Sequence, residues 1–281
     1  MLATETKIKI ARALSSVVLA WRRLFGQPEE VKVVRRGIAW SLDLREGIDF
    51  AIFLLGGFEV RTLNRYAQLV REGDVVLDIG ANVGAHALPL AQLVGASGRV
   101  ISFEPTASAF RKQLANIALN PDLASRMEAN QMMLMSDING ALPSSIYSSW
   151  PLESADDLHG EHFGRLMSTD GAIMNTVDLY VKRLGRRVDF IKLDVDGNEL
   201  DVLLGAADVL ATSRPQIMLE LAPYVYAENP EKFDEILNIL WRNGYRIRSV
   251  ESDKVLPQNA DLVRKAIPQG GGMNVLAEPL S

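Results

Sequence analysis

Apolar positions along the chain follow two periods, and the change between them divides it. Ile10, Leu14, Val17, Val18, Trp21, Leu24 and Phe25 recur at helical spacing, with Lys9, Arg12, Ser15, Ser16, Arg22 and Arg23 between them, which predicts an amphipathic helix. Two short runs, 31–34 and 38–42, joined through Arg35 and Gly37, read as a small hairpin. Leu63, Tyr66, Ala67 and Val70 mark a helix that stops before Gly73 and Asp74. Beyond it, short apolar runs at 75–79, 99–103, 127–134, 188–193, 215–219, 245–250 and 273–277 read as strands. Helical patterns fall at 83–94, on Phe110, Leu114, Ile117 and Ala118, at 199–210, and on Phe233, Ile236, Leu237, Leu240 and Trp241. Strands alternating with helices imply an α/β fold, a mostly parallel sheet covered on both faces. Residues 1–55 then form an N-terminal helical and hairpin extension, and 56–281 a Rossmann-like domain.

The rhythm breaks over 144–170, a polar stretch without a period. So long an irregular segment in a compact domain is functional or disordered, and it is expected to be a lid over the site. Composition adds mainly exclusions. With 48% apolar and 23% charged residues the chain is an ordinary globular one, and with no Cys it can hold no disulfide, thiolate metal site or cysteine nucleophile. A pI near 5.4 argues against a nucleic-acid partner. Charge is uneven. Residues 1–36 hold eight Lys and Arg against three Glu, a net of +5, which leaves −10 on the remainder of a chain whose total is −5. A basic amphipathic helix can lie on an anionic membrane; otherwise it docks its stripe on the domain or on a second subunit. Docking is preferred here, a homodimer being the favoured version, because seven apolar side chains are many to expose. Arg12 interrupts the apolar run, so a secretory signal is not expected, and a cytoplasmic location is.

Candidate chemistry begins directly after the first long-domain strand. Asp78-Ile79-Gly80-Ala81-Asn82-Val83-Gly84 opens a helix with small residues that free its N-terminal N–H groups. The spacing is D-x-G-x-x-x-G, not the G-x-G-x-x-G of dinucleotide sites. Asp78 would repel a pyrophosphate but welcome a cationic ligand such as S-adenosylmethionine. Glu104, ending the second strand, can accept both hydroxyls of a ribose. The plainer alternative is a glycine turn and a helix-capping Glu.

A second group lies farther along. Lys192, Asp194 and Asp196 share parity, with both aspartates at the C-terminal end of the fourth strand, and Glu220 ends the fifth. Ligands of open α/β sheets bind there. Asp194 is the preferred base for a hydroxyl, with Lys192 positioning it and Glu220 a second polar anchor. Two carboxylates also leave magnesium open, without predicting it. Alternatively, Asp194 and Asp196 merely cap the next helix and Lys192 pairs with one of them. The tetrapeptide of amino-methylating enzymes, Asn/Asp-Pro-Pro-aromatic, is absent. His159-Gly160-Glu161-His162 looks superficially like a metal cluster but reads as loop polarity, and His86 is either a site residue or a packing one.

The blocks at 75–86, 100–105, 134–140, 190–206 and 217–221 (VVLDIGANVGAH, VISFEP, LMSDING, FIKLDVDGNELDVLLGA and IMLEL) resemble those of the FkbM-type methyltransferases. That resemblance implies a class I, doubly wound, seven-stranded sheet in the order 3-2-1-4-5-7-6 with the last strand antiparallel. It implies S-adenosylmethionine-dependent O-methylation of a sugar, glycan or natural-product hydroxyl. Asp78, Gly80, Asn82, Gly84 and Glu104 match the cofactor positions, and the adenine is placed near Met133 and Leu134. The run Met132-Met133-Leu134-Met135 departs from the smaller residues usual in the family. A non-catalytic binding module and an NAD-dependent oxidoreductase are the alternatives.

Overall fold

The computed structural model describes residues 4–148, 151–152 and 164–280. The chain begins with α1 (Thr4–Leu24), the hairpin β1 (Glu30–Arg35) and β2 (Ile38–Asp43), α2 (Gly47–Leu55) and α3 (Val60–Leu69). Next come β3 (Val75–Ile79), α4 (Ala87–Leu93), β4 (Arg99–Phe103), α5 (Ala107–Ala118), α6 (Pro121–Ala124), β5 (Met127–Asn130) and β6 (Met132–Leu134). Then follow β7 (Ser145–Ser148), β8 (Arg165–Ser168), β9 (Ile173–Asn175), α7 (Val177–Leu184), β10 (Phe190–Leu193), α8 (Glu199–Leu204), α9 (Ala207–Thr212) and β11 (Gln216–Leu221). The last elements are α10 (Pro230–Arg242), β12 (Tyr245–Ser249), α11 (Ala260–Ala266) and β13 (Met273–Pro279).

Seven strands form one sheet in the order β12-β13-β11-β10-β3-β4-β5. Only β13 runs against its neighbours β11 and β12; the other pairs are parallel. The expected class and strand order are both observed. Central β3 and β10 are buried at every residue, as strands covered on both faces must be. Their side chains alternate between two cores. Val75, Leu77, Ile79, Ile191 and Leu193 face α7 to α11, while Val76 and Phe190 face the layer of β2, α3 and α4. By the same parity and register, Asp78, Lys192 and Glu220 lie side by side on the second face, at the strand ends.

Several elements differ from the sequence reading, each for a local reason. The third strand divides at Gln131: β5 stays in the sheet, while β6 turns away to pair with β9. The helix expected over 199–210 breaks at Gly205, where a Cβ would stand 2.1 Å from the Met135 carbonyl oxygen. The helix expected from 83 begins only at Ala87. On α5 the buried positions are Ala109, Gln113 and Asn116, not the expected apolar ones, and Leu114 is exposed. Polar residues face inward because β2 must be satisfied along its open edge. Asn116 accepts from the Ser41 N–H at 2.9 Å, and Asn120 both accepts from and donates to the Ala39 backbone. The stretch 144–170 is not structureless where it is described: β7 and β8 form an antiparallel ribbon. The cluster His159 to His162 lies outside the described residues.

The amphipathic helix is present, but it docks by another face. Ile8, Ser15 and Leu19 are buried, and Leu19 packs with Leu44, Phe50 and Leu152. Ser15 donates to the Leu44 carbonyl at 3.0 Å. Of the stripe read from the sequence, Val18 packs beside Leu19, while Ile10, Leu14, Val17, Trp21, Leu24 and Phe25 are exposed on the outer face and do not dock on the domain. No described helix is long and apolar enough to cross a membrane.

Candidate active site

The site is built where β3, β4, β10 and β11 end together. After Ile79 the backbone turns through Gly80, Asn82 and Gly84, all at positive φ (80°, 48° and 89°). Gly80 cannot be replaced without moving the backbone, since a Cβ there would meet the Asp194 carbonyl oxygen at 1.8 Å. Its smallness serves the contact between two strand ends rather than a ligand. Gly80 and Ala81 donate their N–H groups to the Phe103 carbonyl, each at 3.0 Å, lacing the turn to the end of β4. Glu104 completes that lacing. One carboxylate oxygen accepts from the Asn82 N–H at 2.9 Å, and the other accepts from the Thr106 N–H at 2.8 Å and its hydroxyl at 2.5 Å. Burial raises the Glu104 pKa while these three bonds oppose the rise. Its remaining lone pairs can still accept from a diol.

Lys192 holds the opposite wall. Its ammonium donates to the Gly80 carbonyl at 2.8 Å and lies 3.6 Å from both Asp78 and Asp194. Desolvation opposes the charge, but Asp194 and Asp78 outweigh it and lift the Lys192 pKa. The lysine therefore stays an ammonium. Asp78 is fully buried behind it, facing Lys192. Its carboxylate faces Lys192 and is not part of the cleft lining. Gly84 also lies outside the lining, and its part is the positive φ that the turn requires.

One cleft of about 1310 Å³, counting its open mouth, brings together Gly80, Asn82, Glu104, Met133, Lys192, Asp194, Asp196 and Glu220. Asp194 and Asp196 do not cap α8. The Asp194–Gly197 turn is instead held by Glu199, which accepts from the Val195 and Gly197 N–H groups at 3.1 and 3.3 Å and from the Tyr226 hydroxyl. Among the described residues Glu220 has no hydrogen-bond or ion-pair partner, and its carboxylate rests where a side chain on Gly272 would stand. Desolvation and the nearby carboxylates of Asp194 and Glu59 raise its pKa well above the usual glutamate range.

Residues that sequence reading missed complete the walls. Glu59 and Phe58 enter from the turn before α3, Tyr224 from the turn after β11, Ile8 and Ile48 from α1 and α2, and Ile146 and Ser148 from the ribbon. Glu59 sits at a φ of 50°, a costly conformation for a non-glycine residue and one often found at sites. The Gly56–Gly57 pair marks that turn in the sequence, but nothing there shows which way the next two side chains point. His86 lines the cleft and caps nothing: the Tyr66 hydroxyl meets its Nδ1 at 2.9 Å, and its Nε2 stands 3.8 Å from Glu59. Burial drives its pKa well below the usual value, with Lys192 adding to the effect, so it is neutral. Among the described residues no group of three or more His, Asp or Glu is placed to hold a metal ion.

With this geometry in hand, comparison with known proteins decides the family. Residues 78–247 match the methyltransferase FkbM domain. The chain belongs to the FkbM methyltransferase family. S-adenosylmethionine is the methyl donor of that assignment, and the oxidoreductase alternative falls with it. The AMB antimetabolite synthetase AmbE of Pseudomonas aeruginosa is 27% identical over 215 residues, which is 65% of this chain. The match takes in only 10% of that synthetase's length. The methyltransferase FkbM of Methylobacillus flagellatus is similar in structure at 18% identity and a TM-score of 0.46, over 79% of this chain and 48% of that one. A SAM-dependent methyltransferase of Aquifex aeolicus has 17% identity and a TM-score of 0.41, over 82% and 93% of the two chains.

Proposed function

We propose that this FkbM-family methyltransferase methylates a hydroxyl of a sugar, glycan or natural product. The observation that carries the reading is the pairing of Lys192 and Asp194, 3.6 Å apart, in the same cleft as Glu104 and the glycine turn. Residues of the cleft suit the donor. Glu104 and Asn82 would hold its ribose, Met133 and Leu134 its adenine, and the carboxylates of the opposite wall its positive charge. When bound, S-adenosylmethionine supplies an electrophilic methyl group on a sulfonium.

The chain's own residues do the rest. Asp194 accepts the hydroxyl proton as the new C–O bond forms and the C–S bond breaks. Lys192, fixed by the Gly80 carbonyl, keeps the Asp194 carboxylate in place and is not itself the base. Glu220, whose carboxyl is pushed up from the usual glutamate range by burial and by the neighbouring carboxylates, lines the same cleft and helps to orient the acceptor. Two variants test the division of labour. Glu104→Ala is expected to weaken S-adenosylhomocysteine binding by about 2–3 kcal/mol in calorimetry. Asp194→Asn is expected to leave that affinity within a few-fold while abolishing methylation of a hydroxylated acceptor found by screening. Unchanged affinity in Glu104→Ala would overturn the cofactor assignment, and full turnover in Asp194→Asn would remove it as base.

A further inference from the structure

We propose that α1 seats this protein on an anionic membrane surface, with the outer face of the helix at the boundary between headgroups and acyl chains. The inference stands on the helix and does not depend on what the cleft methylates. Two opposite faces of α1 carry apolar side chains. Ile8, Ser15 and Leu19 are the docked face. At about 100° per residue, Ile10, Leu14, Val17, Trp21 and Leu24 fall on the far side as one stripe that Phe25 extends. Val17, Trp21 and Leu24 are 69%, 63% and 76% exposed. Trp21 and Phe25 meet edge to face at 4.7 Å, so the wide end of the stripe is an aromatic pair beside Arg22 and Arg23. A continuous exposed patch of this kind marks an interaction site, and an aromatic-plus-basic border suits the edge of a bilayer.

Charge selects the occupant. Lys7 and Lys9 stand at one end of the helix, Arg22 and Arg23 at the other and Arg12 between; Glu5 is the one acidic residue within α1, and Glu29 just beyond it pairs with Arg23 at 2.5 Å, so the net charge of the helix stays strongly positive. A second copy joined through the same stripe about a two-fold axis would set basic ends against basic ends, whichever way the helices ran. Anionic headgroups complement both ends at once. Residues 37–281 carry −10, so an anionic bilayer repels the other faces and turns α1 toward the lipid. Docked and outer faces are also linked to the cleft through Ile8, which lines it together with Ile48 and Ile146. Cleft and lipid-facing stripe therefore share one helix.

Co-sedimentation of the full chain with phosphatidylglycerol–phosphatidylcholine vesicles, beside pure phosphatidylcholine vesicles, tests this. Binding is expected to the anionic vesicles only, and to fall as salt rises. Val17→Glu with Trp21→Glu alters two exposed positions, so the melting temperature is expected to stay unchanged while vesicle binding drops about tenfold or more. Failure of the wild type to sediment with anionic vesicles would overturn the proposal. So would light scattering that shows two chains in the wild type and one in the double variant, which would give the stripe to a second copy.

Discussion

Among the described residues Lys192 is the cation on which Asp78 and Asp194 converge, and its removal isolates a charge. Lys192→Met would leave Asp78 buried without a counter-charge, a loss of about 3–5 kcal/mol in urea unfolding, and adding Asp78→Asn should restore most of it. Glu220 makes a different prediction. A carboxyl whose folded pKa is raised contributes stability fully present below the ordinary glutamate value of about 4.3, and loses it as pH rises through the folded value. Glu220→Gln cannot titrate, so its melting temperature should gain on the wild type as pH rises; a constant difference would contradict the raised pKa. At this scale the sequence was readable wherever a residue closed a strand. Gly80, Glu104, Lys192, Asp194 and Glu220 were placed by parity and strand ends alone. Asp78 was identified, but not its depth behind Lys192, because parity shows the face and not the burial. Glu59, Glu199 and Tyr224 come from turns with no period, so they gave no signal.

Among elements, those whose apolar period meets a single core were legible, and those with two environments were not. The spacing on α1 located a helix correctly and chose its outer face, because the docked face breaks its apolar run with Ser15 between Ile8 and Leu19. On α5 hydrogen-bonding to the β2 edge outweighed hydrophobicity. The stretch holding β7 and β8 was read as a lid over the acceptor, yet it also reaches the glycine turn after β3, where Ser148 lies 3.5 Å from the Asn82 amide, and it is tied to the start of α2, where Arg165 pairs with Glu46 at 3.0 Å. Replacing 144–168 by a short linker should therefore weaken S-adenosylhomocysteine binding, roughly tenfold if the ribbon's polar contacts contribute about 1–2 kcal/mol. Calorimetry giving wild-type affinity would confine the ribbon to the acceptor.

For the molecule as a whole, strand order was inferred from the family resemblance, and the observed sheet agrees with it. The extension was read as a separate span, but Ile38, Trp40, Leu42 and Ile52 are buried together with Val76 and Leu88. Hairpin, α2 and sheet thus share one core. The contact between Gly80 and the Asp194 backbone has a kinetic meaning. With no side chain between them, the donor turn and the acceptor turn are parts of a single rigid seam, and neither can swing aside to let a nucleoside pass. Ligand exchange then depends on the ribbon and the first turns of α1, which sit outside the sheet. Hydrogen–deuterium exchange should report this order: amides of 79–84 and 193–197 should be protected together and longest, and those of β7 and β8 should open first. Turnover would follow the rate of that outer opening, and a cross-link between ribbon and α2 would trap whatever the cleft already holds.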